Sequence, residues 1–569
     1  MSAVGPASIV HPRASSPRAG IRRQWWRMRP SLGSEQLALL ASLYFAAVFN
    51  TPFFSAVIDS GGLHGAGGWM TGVALFVAIA ALHFILLGLL FTRWTAKPVL
   101  IALLLSGALA LHFMRDYTVY FDTDMIRNIL HTDPDEAGEL VTSSLLPEWL
   151  LLGVLPSLLV WRVRLRRRPW RRAALIRAGS LALALLVAIA AILGSFQSVS
   201  SLMRNHRELR HLITPGNYLV SLLRVAGDGH GRRQGPKTPV GVQAKVVGRP
   251  AGAKPRLLVL VVGETVRAQN WGLNGYARDT TPALRRIDPV NFGDVTACGS
   301  NTEVSLPCMF SNIGRADYDK ARIEGSESLL NVLDHAGIAT RWYDNQSGCK
   351  GVCDGVAYRA LAHLDDPALC DGDRCLDGVL ARGLDEALAD PGVDTGADQV
   401  VVLHMLGNHG PAYYKRYPRD ARAYAPDCTS EELSRCSREQ IVNAYDNAIR
   451  YTDSVLAGLI ARLQADDGHD SALIYLSDHG ESLGEDGVYL HGLPYAIAPR
   501  TQTRVPMLMW FSPGLAGSRG LDVACMRERA RRPASHDNLF SSVLGLMQVA
   551  TPEYRPELDL FRGCVAPAG

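Results

Sequence analysis

The sequence predicts a two-part protein, a bundle of five transmembrane helices followed by a layered α/β domain with a mostly parallel sheet. Three observations carry this. Several N-terminal stretches approach the ~20 apolar residues that cross a bilayer. All ten cysteines lie between Cys298 and Cys564, in the other half of the chain. That same half alternates short apolar runs of strand length with helical stretches.

A chain of 569 residues exceeds one ordinary domain. The mean hydropathy of +0.06 suits a chain that is part membrane, part soluble. The net charge of +4 is too small to imply nucleic-acid binding, and the positive charge is clustered, as in the arginine-rich tract 162–172. Beside an apolar span such a tract reads as a cytoplasmic flank.

The five spans are read at 37–57, 68–91, 98–115, 145–161 and 174–195. Residues 1–36 form an N-terminal tail, ending in a basic segment that includes Arg22, Arg23, Arg27 and Arg29. The first span has no small-residue cleavage site and more spans follow, so it reads as an uncleaved anchor. The basic tail, the Arg93–Lys97 link and the 162–172 tract alternate with a Gly-rich link at 59–67 and an acidic link at 116–148. With five spans, the basic segments fall in the cytoplasm and the C-terminal half outside it. Clustered cysteines point independently to an oxidising compartment. The expected partition is a cytoplasmic tail at 1–36, a membrane domain at 37–198, an interfacial helix and linker at 199–255, and a soluble catalytic domain at 256–569.

Within the acidic link, Asn128, Thr132 and Glu136 are spaced by four, which places them on one face of an unbroken helix; Pro134 interrupts the last turn. Such a stripe is either a solvated face or a contact for a lipid headgroup. After the fifth span, Met203–His211 reads as a basic interfacial helix, and the Gly/Pro/Lys/Arg-rich stretch 226–255 as a linker.

In the soluble half, Leu257–Val262, Val400–His404, Ala472–Leu476 and Pro506–Phe511 are continuous apolar runs, as expected of strands buried on both faces. A helical stretch at Ser430–Gln464 lies between two of them. Ligands in such sheets bind beyond the carboxyl ends of the strands. Glu264, His409 and the Asp478–His479 pair occupy those positions. Single acids there are often helix caps and single histidines often structural. Several converging on one edge suit a transition metal, and zinc accepts imidazole and carboxylate together. Thr302 lies between Cys298 and Cys308, where a metal held by Glu264, Asp478 and His479 would activate its hydroxyl; Ser300 and Ser305 remain alternative nucleophiles. Spacing favours local bridges Cys298–Cys308, Cys349–Cys353, Cys370–Cys375 and Cys428–Cys436, leaving Cys525 and Cys564 as a long-range pair.

Six segments in order carry a family resemblance: Gly263–Ala268, Leu273–Pro282, Cys298–Ser311, Ser347–Asp354, Gly407–Pro411 and Ser477–Glu485. The chain resembles the lipid A phosphoethanolamine transferases, a group that includes the transferable colistin-resistance enzymes and belongs to the alkaline phosphatase/sulfatase superfamily. The resemblance implies an α/β/α sandwich, Thr302 as nucleophile and Zn2+ held by Glu264, Thr302, Asp478 and His479. It implies that His409 and His491 line the phosphoryl site or hold a second zinc. It puts Asn128, Thr132, Glu136, Ser347 and Lys350 at substrate-headgroup positions. The family often has Thr-Ala or Thr-Ser where this chain has Ser300-Asn301, which bears on acceptor preference.

The implied reaction transfers phosphoethanolamine from phosphatidylethanolamine to a phosphate of lipid A at the bacterial inner membrane, by a monomer with no nucleic-acid partner. Lower susceptibility to polymyxins and cationic peptides is the expected consequence. A core sugar or periplasmic glucan as acceptor, or a membrane-anchored phosphodiesterase, are the competing expectations.

Overall fold

The computed structural model describes residues 29–60, 65–132, 134–231, 236–248, 252–371, 374–390 and 396–565. The expected N-terminal tail therefore lies outside the described residues as far as position 28. The chain packs as two compact units, one made of Met1–Leu111, Pro147–Leu209 and Ile213–Pro215, the other of His112–Leu146, Arg210–Leu212 and Gly216–Gly569.

The first unit is helical. Among the described residues, four helices are long and apolar enough to cross a membrane, at Gly68–Leu90, Ala96–Asp116, Leu145–Arg162 and Trp170–Gly194. A bent pair, Ser34–Phe49 with Thr51–Asp59, makes a fifth if counted as one span. The bend of 46° falls at Asn50, just before Pro52. The Asn50 side chain donates to the carbonyls of Phe45 and Thr214, both at 2.8 Å, so at the break these two carbonyls are bonded.

The second unit is built on one eight-stranded sheet. Its strands are β1 (Arg256–Gly263), β2 (Val290–Thr296), β3 (Ala339–Asp344), β4 (Ala357–Ala360), β5 (Gln399–His404), β6 (Asp470–Ser477), β7 (Arg504–Phe511) and β8 (Ala534–Ser535). The spatial order is β8-β2-β7-β6-β1-β5-β3-β4. β1 runs parallel to β5 and β6, β5 to β3, β3 to β4, and β2 to β8. Only β7 is antiparallel to its neighbours, β6 and β2.

The alternation along β1 explains the layering. Leu258, Leu260 and Val262 join a core with Leu329, Leu330 and Leu333 on one face. Leu257, Val259 and Val261 join another with Tyr445, Leu456 and Ile460 of the helix Arg438–Ala465. Ser437 and Gln440 cap that helix reciprocally, which starts it later than the expected Ser430. The five expected cysteine pairs are all joined, including Cys525–Cys564.

Three sequence expectations need correction. The acidic link, grouped with the membrane domain, packs instead with the second unit. Its polar residues have partners there, as Asp124 does in Lys320 at 2.7 Å and Ser143 in Glu432 at 3.0 Å. The helix expected to carry Asn128, Thr132 and Glu136 ends at His131, and a short helix restarts at Pro134–Glu139. Thr132 is extended (φ −65°, ψ 129°) and its hydroxyl donates to the Asn128 carbonyl at 2.8 Å, so the three residues share no continuous helical face. The Glu136 side chain lies outside the described residues. Finally, the expected linker is partly ordered structure. A helix runs through Gly216–Gly231, and Lys245–Val246 pairs antiparallel with Val549–Ala550. The basic segment at 203–211 is split between the helix Phe196–Asn205 and a 3-10 turn, Arg207–Leu212.

Candidate active site

Strand register assembles the site. Val262 of β1 stands opposite His404 of β5 and Leu476 of β6, and Gly263 stands opposite Ser477. One residue further, Glu264 and Asp478 emerge together from adjacent parallel strands. The chain after β5 turns at Gly407 (φ +57°), where an added Cβ would lie 2.6 Å from the Glu264 carbonyl oxygen. Glycine is therefore required for that loop to cross behind Glu264, and the Glu264 carbonyl accepts from Asn408 N at 3.0 Å.

Hydrogen bonds divide the carboxylate oxygens into fixed and spare. Asp478 Oδ1 accepts from the backbone of His479 (2.7 Å) and Thr265 (3.3 Å). Glu264 Oε2 accepts from Thr302 Oγ1 (3.0 Å) and Gln346 Nε2 (3.2 Å). Asp478 Oδ2 and Glu264 Oε1 are buried and accept no hydrogen bond among the described residues. His479 Nδ1 lies 2.9 Å from the Gly480 carbonyl, which orients the ring and turns Nε2 inward, 3.2 Å from Glu264 Oε1 and 3.5 Å from Asp478 Oδ2. Ligand atoms of the three residues lie within 4.8 Å of one another.

All three side chains are fully buried, and electrostatics follow from that. Burial and the neighbouring Glu264 charge push Asp478 up to about 7. Burial favours neutral His479, yet Asp478 and Glu264 hold its pKa up to about 10. Burial would raise Glu264, but the His479 charge beside it holds it below the usual carboxylate range. Two dry carboxylates this close require a positive charge beside them, from a protonated His479 or a cation. Two orphaned oxygens, an oriented imidazole and a hydroxyl fit a divalent metal with a tetrahedral preference.

Thr302 opens the helix Thr302–Met309, and its Oγ1 reaches His479 Nε2 at 3.2 Å as well as Glu264. The alternative hydroxyls are engaged elsewhere. Ser300 Oγ donates to the Leu493 carbonyl (2.6 Å) and Ser305 Oγ to that of Asp478 (2.5 Å). Asn301 is the helix N-cap, its side chain accepting from Val304 N at 3.0 Å. That gives this position a local structural task in presenting Thr302.

His491 lies beside the cluster, its ring 4.4 Å from that of His479 and 5.5 Å from that of His409. His491 Nδ1 is held by Glu481 Oε2 at 2.7 Å. Ser347 and Lys350 are bonded to each other, Nζ to Oγ, at 2.9 Å. Both the amide and the hydroxyl of Ser347 donate to Gln346 Oε1, and Gln346 reaches Glu264, so this pair connects to the cluster. Asn128 lies about one helical turn before His131 and Thr132 directly after it; His131 Nδ1 is 3.0 Å from Glu303 Oε2.

The sequence reading missed several residues. Gln346 bridges the metal-type cluster and Ser347. Asp344 closes β3 and accepts from Trp342 Nε1, Gln346 N and Gly348 N, with His404 Nδ1 at 2.9 Å. The strand-end rule would have found Asp344 had β3, with its mixed sequence Ala-Thr-Arg-Trp-Tyr-Asp, been read as a strand. Nothing in the sequence signals the Glu303–His131 contact, because its partners are 172 residues apart.

Comparison with known proteins agrees with this fold. The sulfatase family profile matches residues 256–549, and the family described as phosphoethanolamine transferase EptA/EptB matches residues 79–229. The chain is 35% identical to phosphoethanolamine transferase EptA of Salmonella typhimurium over 557 residues, covering 94% of this chain and 98% of that one. It is 36% identical to phosphatidylethanolamine transferase Mcr-1 of Escherichia coli over 499 residues, 85% of this chain and 91% of that one. The solved integral membrane lipooligosaccharide phosphoethanolamine transferase A of Neisseria meningitidis superposes with a TM-score of 0.91 at 37% identity, covering 95% of this chain and 100% of that one. The chain belongs to the lipid A phosphoethanolamine transferase family, within the alkaline phosphatase/sulfatase superfamily.

Proposed function

We propose that the protein transfers phosphoethanolamine from phosphatidylethanolamine to a phosphate of lipid A, through a covalent phosphoethanolamine adduct on Thr302. The observation that carries the reading is the placement of Thr302 Oγ1 against both Glu264 and His479, in a buried cluster with two unbonded carboxylate oxygens. Glu264, Asp478, His479 and Thr302 would hold a zinc ion, which would supply Lewis acidity and favour the threonine alkoxide. A second zinc near His409 and His491 is the alternative to their acting as proton donors.

Thr302 donates to Glu264 Oε2, so its proton has an aligned acceptor before attack. Oγ1 adds to the donor phosphorus and the phosphorus–oxygen bond to diacylglycerol breaks. His409 or His491 delivers the proton that the leaving oxygen needs; Glu481 fixes the His491 ring for that task. An oxygen of a lipid A phosphate then attacks the same phosphorus, and Thr302 departs with its hydroxyl restored. Ser347, Lys350, Asn128, Thr132 and Glu136 serve as headgroup contacts in this scheme. Each turnover adds an ammonium group to lipid A and lowers its negative charge, so polymyxins and other cationic peptides bind it less strongly. The apolar helices of the first unit keep the enzyme with its lipid donor in the inner membrane. The five disulfides support a periplasmic catalytic unit.

The test is reconstitution of the full chain with phosphatidylethanolamine and lipid A, read by mass spectrometry. Lipid A heavier by one phosphoethanolamine is the expected product. Free phosphoethanolamine with unmodified lipid A would mean a phosphodiesterase, and a modified glycan in place of lipid A would move the acceptor.

A further inference from the structure

The segment His112–Leu146 is anchored to the catalytic unit at points that differ in consequence. The partners in Asp124–Lys320 and Ser143–Glu432 make no hydrogen bond to a site residue among the described residues. Two other anchors lead to the site. Glu139, at the end of the short helix Pro134–Glu139, pairs with Arg416, and both side chains are buried (9% and 3% exposed). The same Arg416 donates through Nε to the carbonyl of His409 at 2.7 Å. His131, at the end of the preceding helix, meets Glu303, a carboxylate only 4% exposed and the next residue after Thr302.

We propose that Glu139 with Arg416, and His131 with Glu303, are positioning pairs through which this segment sets the placement of His409 and of the Thr302 helix. The inference rests on the proposed roles of Thr302 and His409 and adds a task that headgroup binding does not require. The argument is one of buried charge. Glu139 also faces Lys415 at 3.7 Å, but loss of Glu139 leaves the buried Arg416 guanidinium without its carboxylate, and loss of His131, itself 46% exposed, leaves the buried Glu303 without its partner. Arg416 cannot relax without releasing the His409 carbonyl, and Glu303 cannot move toward water without turning the first residues of the Thr302 helix. The segment therefore acts on the reacting groups from two sides, through elements that carry the acid and the nucleophile. A contact that only received the lipid would not need to be tied to both.

The full-length metal-loaded enzyme separates these roles with two substrates. One is phosphatidylethanolamine with lipid A as acceptor. The other is bis(p-nitrophenyl) phosphate, a diffusible phosphodiester that no lipid contact can orient. Glu139→Gln and Glu303→Gln are each expected to lower kcat about 5- to 50-fold on both substrates, with KM for the phospholipid within about twofold and metal content unchanged. Arg416→Lys keeps a charge facing Glu139 but loses the Nε donor to His409, so it should lower kcat similarly while changing the thermal midpoint less. Asp124→Asn, at an anchor whose partner Lys320 bonds to no site residue, should leave kcat within about twofold of wild type. Losses confined to the phospholipid substrate would overturn the inference, as would an unchanged kcat in well-folded variants. So would an Asp124→Asn loss as large as that of Glu139→Gln. Absence of any transfer by the wild-type enzyme would instead sink the proposed function, and this inference with it.

Discussion

The two units bury their apolar side chains against different solvents. In the second unit, β1 and β6 are buried along their whole length, and Leu473 is 0% exposed. In the first, the helix Trp170–Gly194 turns Leu185, Leu186 and Leu193 outward at 52%, 64% and 64% exposure. An exposed leucine row of this kind would be a liability in water and is ordinary against acyl chains. The polar chemistry divides the same way. Every disulfide and the Glu264–Asp478–His479 cluster belong to the second unit. The comparison teaches that one unit specifies a site through dense internal bonding, whereas the other supplies a surface matched to lipid.

The largest expected effect breaks the chemistry and leaves both units standing. Thr302→Ala should lower transfer by about 10³-fold or more, since residues that act together on one nucleophile lose most of their effect when it is removed. Metal content and thermal midpoint should stay near wild type. Mass spectrometry of the enzyme after donor is added should show a phosphoethanolamine adduct that the variant lacks. Glu264→Gln should instead lose both turnover and metal, read by elemental analysis of purified protein. Retention of full metal occupancy by that variant would count against Glu264 as a ligand.

Much of this was legible in the sequence, for a physical reason that also marks its limit. The strand ends at Glu264, Asp478 and His409 follow from apolar runs whose length and burial set where the sheet stops. Four of the cysteine pairs follow from short spacing within one region, and Cys525–Cys564, 39 residues apart, from being the two cysteines left over. The Asn128–Glu136 segment was read less well. Its spacing suggested one helix, but Pro134 and the Thr132 hydroxyl end that helix, and the partners of Asp124, His131 and Glu139 in and around it lie far along the chain at Lys320, Glu303 and Arg416. Periodicity reports local structure, whereas long-range charge pairing leaves no periodic trace. Gln346 was passed over for the same reason, since its importance lies in reaching Glu264 across 82 residues.

Matched leucine truncations sharpen the contrast between solvents. Leu473→Ala in the sheet core should cost about 2–5 kcal/mol, and Leu186→Ala on the outward helix face less than about 1 kcal/mol. Thermal unfolding in the same detergent would measure both. Equal losses would mean that the helix face is covered by protein. Reduction offers a second contrast of similar size. A disulfide typically contributes about 2–4 kcal/mol, so a reductant should lower the unfolding transition of the catalytic unit and spare the cysteine-free first unit. A single transition that shifts as a whole would show that the units unfold together.

The smallest effect concerns helix ends, and it tests the comparison at its finest grain. Side chains cap the helices of the second unit at Asn301, Asp319, Ser328, Ser437, Ser512 and Asp522. In the first unit Tyr44, Asn50, Val154, Pro169 and Ser195 stand at N-cap positions with no side-chain bond that caps the helix. Losing the Asn301 cap should cost about 0.5–2 kcal/mol, because Val304 N would lose its acceptor. The cost falls on the first turn of the helix that presents Thr302, so Asn301→Ala should also lower kcat, about two- to tenfold, with metal content intact. Asn301→Ser keeps a capping oxygen and should recover most of both losses. Ser195→Ala, at a position whose side chain caps nothing, should change neither stability nor turnover. If Asn301→Ser were as impaired as Asn301→Ala, the side chain would be acting on substrate instead of on the helix. The Ser300-Asn301 departure from the family would then bear on acceptor choice after all.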